Sequence, residues 1–288
     1  LENILDITNL SKRYDNFLLN NISINLPKGY IMGFIGPNGA GKSTTIKLIM
    51  NLIHKDSGDI KVFGLDNIKN EMEIKNRIGF VYDENHFYEE LTVDEIVKFI
   101  SPYYRNWDNS LFNRYIHRFK LPKKSKIKTL SKGMKMKLSL AIALSHNAEL
   151  LILDEPTSGL DPLVRSELLE ILGDIIQDEN KAVFFSTHIT SDLDKVADYI
   201  TFINEGNIVL QDTKENIFDN YCLIKGDKQF LNNELNNLLV GVKENKYGFE
   251  GLIKNEDLVH TEAIEKLKIE RPSLEDIMLF TVRGTVNV

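Results

Sequence analysis

The chain of 288 residues has one cysteine, one tryptophan and seven prolines. A single thiol, Cys222, excludes an intramolecular disulfide, and one lone cysteine reads as inert rather than reactive. No segment approaches the roughly 20 apolar residues needed to span a bilayer. The opening stretch "LENILDITNL" lacks a basic start and an unbroken apolar run, so it does not read as a signal peptide, and a cytoplasmic location is expected. Six histidines lie scattered without metal-ligand spacing, and no zinc site is suggested. A basic excess is missing too. The net charge of −7 argues against a nucleic-acid partner, because duplex affinity rests on cations that neutralise phosphates. What remains, 42% hydrophobic and 27% charged residues, is the balance of a globular protein with one large domain or two smaller ones.

Residues 36 to 45 read "GPNGAGKSTT" and follow the apolar run "YIMGFI". Gly36 to Ser43 fit G-x-x-x-x-G-K-[ST], a loop that cradles phosphates. Its glycines let backbone N–H groups approach phosphate oxygens with no Cβ in the way. Lys42 supplies a point charge for the β- and γ-phosphates, and the Ser43 hydroxyl suits a magnesium ion. A helix "KSTTIKLIMN" starts here, so its N-terminus adds positive potential. The nucleotide-binding stretch therefore comprises Gly36, Pro37, Asn38, Gly39, Ala40, Gly41, Lys42, Ser43 and Thr44. Residues 150 to 155, "LLILDE", read as a buried strand with two carboxylates at its C-terminal end, where open α/β sheets place ligands. Asp154 can hold magnesium, and Glu155 can polarise a water for attack.

Four further stretches surround these two. "LSKGMKMK" (130 to 137) lies before the acidic strand and "SGLD" (158 to 161) after it. "FFSTH" (184 to 188) is another apolar strand, ending in a histidine, and Tyr14 sits upstream in "SKRYDN". In this order the motifs resemble the ATP-binding cassette (ABC) family, the ATPase subunits of ABC transporters, over about residues 4 to 215. The resemblance implies an α/β fold, the ABC-type P-loop ATPase, with an antiparallel β subdomain and a helical subdomain. It makes Tyr14 the aromatic that stacks on adenine and His188 the switch histidine that stabilises the γ-phosphate. Ser131, Lys132 and Gly133 become the signature that meets the nucleotide of a second copy in a head-to-tail dimer. Ser158, Gly159, Leu160 and Asp161 become the D-loop. ATP and Mg2+ are the implied ligands, and a separate transmembrane permease subunit is the implied partner.

Two departures from the family stand out. The usual signature is Leu-Ser-Gly-Gly-Gln; here Lys132 replaces the first glycine and Met134 the glutamine. After the strand "IGFVY" the family has a glutamine that contacts magnesium, whereas this chain has Asp83, followed by Glu84. A carboxylate there, beside Asp154 and Glu155, is expected to raise at least one carboxyl pKa.

Along the chain, residues 1 to 30 alternate as strands of an antiparallel sheet. Residues from about 84 to 135 read as helical and aromatic-rich, with core packing the first reading of those aromatics. In the family this subdomain receives a helix from the membrane subunit, and Phe87, Tyr88, Phe99, Tyr103 and Tyr104 are candidate anchors. Eight lysines and no acid between 120 and 137 read first as a solvated face, then as a positive rim for ATP. "DPLVRSELLEILGDII" reads as a helix capped by Asp161. "SDLDKVADYI" reads as a helix and "ITFINEGNIVLQD" as a hairpin. The domains are then 1–216, the nucleotide-binding domain, and 217–288, a small C-terminal α/β appendage. In the appendage "YCLIKG" and "YGFEGLIKN" look like strands, and Ser273 and Asp276 form a capping box ahead of a helix with Leu274, Ile277 and Met278 on one face. "RPSLEDIMLF" resembles the tail of exporter-type ATPases for antibiotics, lipids and small peptides, which often joins dimer contacts.

The favoured reading is an ATPase subunit, peripheral on the inner face of the membrane, that powers a separate permease, with export indicated by the tail. The alternative is a soluble ABC ATPase acting on a nucleoprotein or ribosomal target. Translation-type members carry two cassettes, and chromosome-type members insert a long coiled coil; here 87 residues (43 to 129), without heptads, separate Lys42 from Leu130. A small-molecule kinase is disfavoured by the stretches flanking "LLILDE".

Overall fold

The structure is a computed structural model that describes residues 2–83, 86–258 and 266–286. Apolar and polar residues alternate along β1 (Asn3–Tyr14) and β2 (Phe17–Pro27), which pair antiparallel through a tight turn at Asp15 and Asn16. Their inward residues, such as Ile4, Leu10, Leu19 and Ile24, are fully buried. After β3 (Ile31–Ile35), the strands β4 (Ser57–Val62) and β5 (Leu65–Asp66) complete this sheet in the order β2-β1-β4-β5.

β3 belongs to the central sheet, with β6 (Ile78–Val81), β7 (Leu150–Asp154), β8 (Ala182–Thr187), β9 (Tyr199–Asn204) and β10 (Asn207–Thr213). The order is β10-β9-β3-β8-β7-β6, parallel throughout except for the β9–β10 hairpin at the edge. Every residue of β3, β7 and β8 is buried, as expected of strands covered on both faces. These three strands are neighbours. The phosphate loop, the acidic pair and His188 therefore leave the sheet side by side, at its C-terminal edge.

Several helices start at the capping residues legible in the sequence. α1 (Lys42–Ile49) starts in the phosphate loop, and α2 (Glu71–Arg77) leads into β6. The segment between β6 and β7 folds into α3 (Val93–Ile100), α4 (Asn109–Arg118) and α5 (Lys132–Leu144). Thr92 and Glu95 form a full capping box on α3, Asp108 caps α4 and Ser131 caps α5. The helical region thus runs past 135 to Leu144, because the apolar run of α5 packs under β6 and into the core. Asp161 caps α6 (Pro162–Ile175) as expected.

The helix expected over "SDLDKVADYI" is shorter. α7 (Thr190–Val196) stops early, because Asp198 joins the sheet instead. Its carboxylate accepts from the Ile31 N–H at 2.8 Å and its own N–H donates to Ile31 O at 2.9 Å, which starts β9 in register with β3.

After α8 (Lys214–Asn220) comes a second antiparallel sheet, ordered β12-β13-β11-β14. β11 (Tyr221–Gly226) and β13 (Phe249–Lys254) are the strands read from sequence. β12 (Leu239–Glu244) and β14 (Lys268–Glu270) were not legible: one holds a glycine and ends in charge, the other has three residues. α9 (Asn233–Leu238) and α10 (Asn255–Leu258) are short connectors. The capping box of Ser273 and Asp276 opens α11 (Leu274–Val286). Leu274, Ile277 and Phe280 are buried in the same cluster as Ile200 and Phe202 of β9, so this face of the tail is used within its own chain.

Candidate functional site

The phosphate loop is shaped by contacts that only glycine allows. A Cβ at Gly36 would lie 2.2 Å from the Ile203 carbonyl oxygen, and Gly41 caps α1 at a φ of 116°. Lys42, almost fully buried, is the first residue of α1. Its ammonium donates to the Gly36 and Pro37 carbonyls at 2.7 and 3.2 Å and lies 3.1 Å from Glu155 Oε1, an ion pair without hydrogen-bond alignment.

Glu155 sits in the left-handed region at φ 48°, a conformation that costs a non-glycine residue about 1 kcal/mol or more. Ser186 holds it there, since the Glu155 N–H donates to both Ser186 O and Ser186 Oγ at 3.1 Å. The other carboxylate oxygen accepts from the His188 backbone N–H at 3.3 Å and lies 2.7 Å from His188 Nδ1. Ser186 Oγ donates in turn to Asp154 Oδ1 at 2.7 Å. One short network therefore joins β3, β7 and β8 through Lys42, Glu155, His188, Ser186 and Asp154. Ser186 went unnoticed in the sequence; its signal was a polar residue facing the acids within an otherwise apolar strand.

The Asp154 carboxyl is held above the ordinary aspartate range. Burial is the largest cause, hydrogen bonds from Ser186 and Ser43 oppose it, and the charges of Asp83 and Glu155 add to the upward push. A raised carboxyl was expected from charge clustering; desolvation contributes more. This corner fits a magnesium ion. A desolvated carboxylate and a hydroxyl face each other, with two more carboxylates nearby, and all donors are oxygen. Among the described residues no three His, Cys, Asp or Glu side chains are grouped so as to hold a metal ion by themselves.

A cleft of about 550 Å³ opens above the loop, lined by Tyr14, Phe17, Lys42, Ser43, Asp83 and Glu155 among others. Asn38, Gly39, Gly41 and Thr44 also line it, whereas Gly36, Pro37, Ala40, Asp154 and His188 do not. Tyr14 is 45% exposed, with the Lys12 ammonium 5.6 Å from its ring centre and Lys12 itself paired to Asp56 at 2.8 Å. Phe17, at 6.5 Å from Tyr14, is a second aromatic wall that sequence reading missed. Glu84 lies outside the described residues.

The signature residues are elsewhere. Ser131 is exposed and caps α5 by accepting from the Met134 N–H at 3.2 Å. Gly133 packs on Val164 of α6, and the Lys132 side chain runs to Gly159. Asp161 accepts from the Leu163 and Val164 N–H groups at 3.1 Å. None of residues 131 to 133 or 158 to 161 lines the cleft over the phosphate loop.

A family model described as ABC transporter matches residues 19–158. The chain is 36% identical over 214 residues to the bacitracin transport ATP-binding protein BcrA of Bacillus licheniformis, covering 73% of this chain and 69% of the relative. It is 35% identical over 231 residues to the lantibiotic transport ATP-binding protein SrtF of Streptococcus pyogenes, covering 77% and 99%.

The chain belongs to the ABC transporter ATP-binding family.

A solved structure described as the ATP-binding subunit of an ABC transporter superposes with a TM-score of 0.68 at 28% identity, over 74% of this chain and 91% of the other. The protein is thus an ATP-binding subunit and an ATPase of the ABC type, with the α/β fold read from its motifs. No helix among the described residues is long and apolar enough to cross a membrane. In this ABC ATPase the aromatic-rich segment divides in two. Phe112 and Phe119 are core, whereas Tyr88, Phe99 and Tyr103 are 66%, 53% and 70% exposed and stand edge to face at about 6 Å. Beside them a cavity of about 250 Å³ is lined by Phe80, Tyr82, His86, Phe87, Ile100 and Tyr104, next in sequence to Asp83.

Proposed function

We propose that this ATPase works as a head-to-tail dimer, bound through its aromatic surface to a separate permease, and that the complex exports its cargo. The observation that carries the reading is the network of Lys42, Glu155 and His188, joined through Ser186 to Asp154. Lys42 binds the β- and γ-phosphates and leaves Glu155 as it does so. Glu155 then takes the proton of the attacking water. His188 orients that carboxylate and stabilises the γ-phosphate. Ser43 and Asp154 would hold Mg2+, with the Asp83 carboxylate nearby, and the ion would supply positive charge for the phosphate oxygens. Tyr14 stacks on the base, with Phe17 as the second wall.

Ser131, Lys132 and Gly133 lie away from this cleft, which supports their use by a second copy, together with the D-loop Ser158 to Asp161. The exposed aromatics and the adjoining cavity suit an apolar segment of a membrane protein, since aromatics are frequent anchors. Export, with cargo in the class of antibiotics, peptides or lipids, is supported by the bacitracin and lantibiotic transport relatives. The test is co-expression with the neighbouring membrane protein. The wild-type chain should sediment with membranes and resist a mild salt wash, because apolar contacts are little screened. Phe99→Ala with Tyr103→Ala should release it while ATP hydrolysis in solution continues. A chain that never sediments with any neighbouring membrane protein would contradict the reading.

A further inference from the structure

We propose that Arg165 and Asp192 are positioning residues for hydrolysis: their ion pair locks the first turn of α6 to the first turn of α7 and so sets the contact between Glu155 and His188. This rests on Glu155 acting as the proton acceptor, as proposed above. Asp192, in the first turn of α7, is fully buried. Its Oδ1 accepts from Arg165 Nε, and its Oδ2 has no hydrogen-bond partner among the described residues. Neither residue lines the cleft over the phosphate loop, so this charge is not spent on the nucleotide.

Such a pair is a poor source of stability. The cost of desolvating two charges offsets much of their attraction, and an apolar pair of similar size is often as stable or more so. The unpartnered carboxylate oxygen adds to that cost. What the pair supplies is geometry. The guanidinium is a planar fork on α6 that spans two residues of α7: Nε donates to Asp192, and a terminal nitrogen donates to Ser191 Oγ at 2.8 Å. The other side of α7 is fixed as well. Leu193 is fully buried against β3 at Gly33, where a Cβ would lie 2.6 Å from a leucine methyl. α7 is thus held between α6 and the strand that leads into the phosphate loop.

Both helices lead back to the reacting groups. β7 ends at Asp154, and Glu155 opens the connection to α6 at Pro162. β8 ends at Thr187, and His188 and Ile189 lead into α7 at Thr190. At the near end Glu155 Oε2 and His188 Nδ1 meet at 2.7 Å. At the far end Arg165 and Asp192 close the same ring. Glu155 stands at φ 48°, a conformation that persists only where its surroundings fix it. With the far end open, α6 and α7 are free to slide on each other, and the Glu155–His188 contact loosens. A displacement of about 1 Å at a reacting group can lower a rate by about a hundredfold.

The experiment measures steady-state hydrolysis of MgATP and thermal melting on the full chain. Arg165→Met with Asp192→Leu removes both charges and strands neither. This double variant should melt close to the wild type, lose about ten- to a hundredfold in kcat, and keep KM for MgATP within about twofold. Arg165→Lys keeps the charge but cannot reach Asp192 and Ser191 together. It should fold and lose several-fold in kcat, so the test survives a double variant that does not fold. Wild-type kcat in either folded variant would make the pair a structural contact only, and the proposal falls. A rise in KM with kcat unchanged would place the pair in ATP binding and overturn it as well. In a His188→Ala background the double change should cost little more, because it acts through that contact; an undiminished further loss would show that it acts elsewhere and would overturn the proposal. Glu155→Gln is measured alongside. If that variant hydrolyses ATP as the wild type does, the role given to Glu155 falls and takes this one with it.

Discussion

The phosphate-loop half and the signature half of this protein differ in how far each is finished. In the first, Lys42, Glu155, His188, Ser186 and Asp154 contact one another across three adjacent strands, and Lys42, Ser186 and Asp154 are buried. In the second, Ser131 and Lys132 are exposed at the start of one helix. Their known contacts are to Met134 and Gly159 of the same surface. The buried half holds its geometry through the fold. The exposed half has its geometry set by the Ser131 cap and by the approach of Lys132 to Gly159. Substitutions in the two halves should therefore fail differently.

The largest effect is expected in the finished half. Glu155→Gln removes the proton acceptor and should lower hydrolysis at least about a hundredfold. It should also weaken the ion pair that Lys42 makes with this side chain, so ATP is retained. Phosphate release and filter binding of labelled ATP measure the two separately, and wild-type turnover would show that the carboxylate is not the base.

Ser131→Ala sharpens the contrast. Loss of the cap should cost about 1 kcal/mol of stability, visible as a small drop in melting temperature. Hydrolysis should fall more than that drop explains, because the hydroxyl is needed by the other copy, while ATP binding to the chain's own cleft persists. A fall in ATP binding equal to the fall in hydrolysis would place Ser131 in its own chain's site instead.

Asp83→Gln should give a change of only a few-fold. It removes one of the charges that push the Asp154 carboxyl upward, though burial remains the main cause. Affinity for MgATP should move little, and turnover stimulated by the membrane partner should change. Selective loss of MgATP binding would make Asp83 a main metal ligand.

The smallest effect lies far from both halves. Glu270 pairs with Lys225 and Lys268 at 2.9 and 2.5 Å, and these hold its carboxyl at about 2 against an ordinary 4.5. A depressed folded-state pKa adds stability that is present above 4.5 and fades as pH falls towards about 2. Glu270 and Lys225 are partly exposed and Lys268 is exposed, so solvent screening keeps the gain slight. Glu270→Gln should melt slightly earlier at neutral pH and match the wild type near pH 2, if both still fold there. A difference that grows with acid would reverse the sign of this account.

The finished half was largely legible in the sequence because its chemistry is local. A glycine loop after one apolar run, and acids or a histidine at the ends of two others, imply a shared edge once the runs are strands of a parallel sheet. Ser186 and Phe17 were not legible, since each acts through a neighbouring strand or turn that spacing does not reveal. The early stop of α7 depended on Asp198 pairing with Ile31, a contact across 167 residues. Among the aromatics after Asp83, composition could not separate core Phe112 from exposed Tyr103, because both lie in amphipathic helical stretches. In the C-terminal sheet, β12 and β14 are too short or too polar to carry a period of their own. The burial of α11 in its own chain's core likewise required the fold.

The most direct test of the unfinished half is a mixture of two inactive chains. Lys42→Ala lacks a working phosphate loop, and Ser131→Ala lacks a working signature. If each site is built from two copies, mixed dimers contain one site with both parts intact. At equal amounts, half the dimers are mixed and each has one of two sites, so ATP hydrolysis should recover to roughly a quarter of wild type when the sites act independently. Two inactive chains that remain inactive at every mixing ratio, under conditions where they exchange subunits, would contradict the two-copy site.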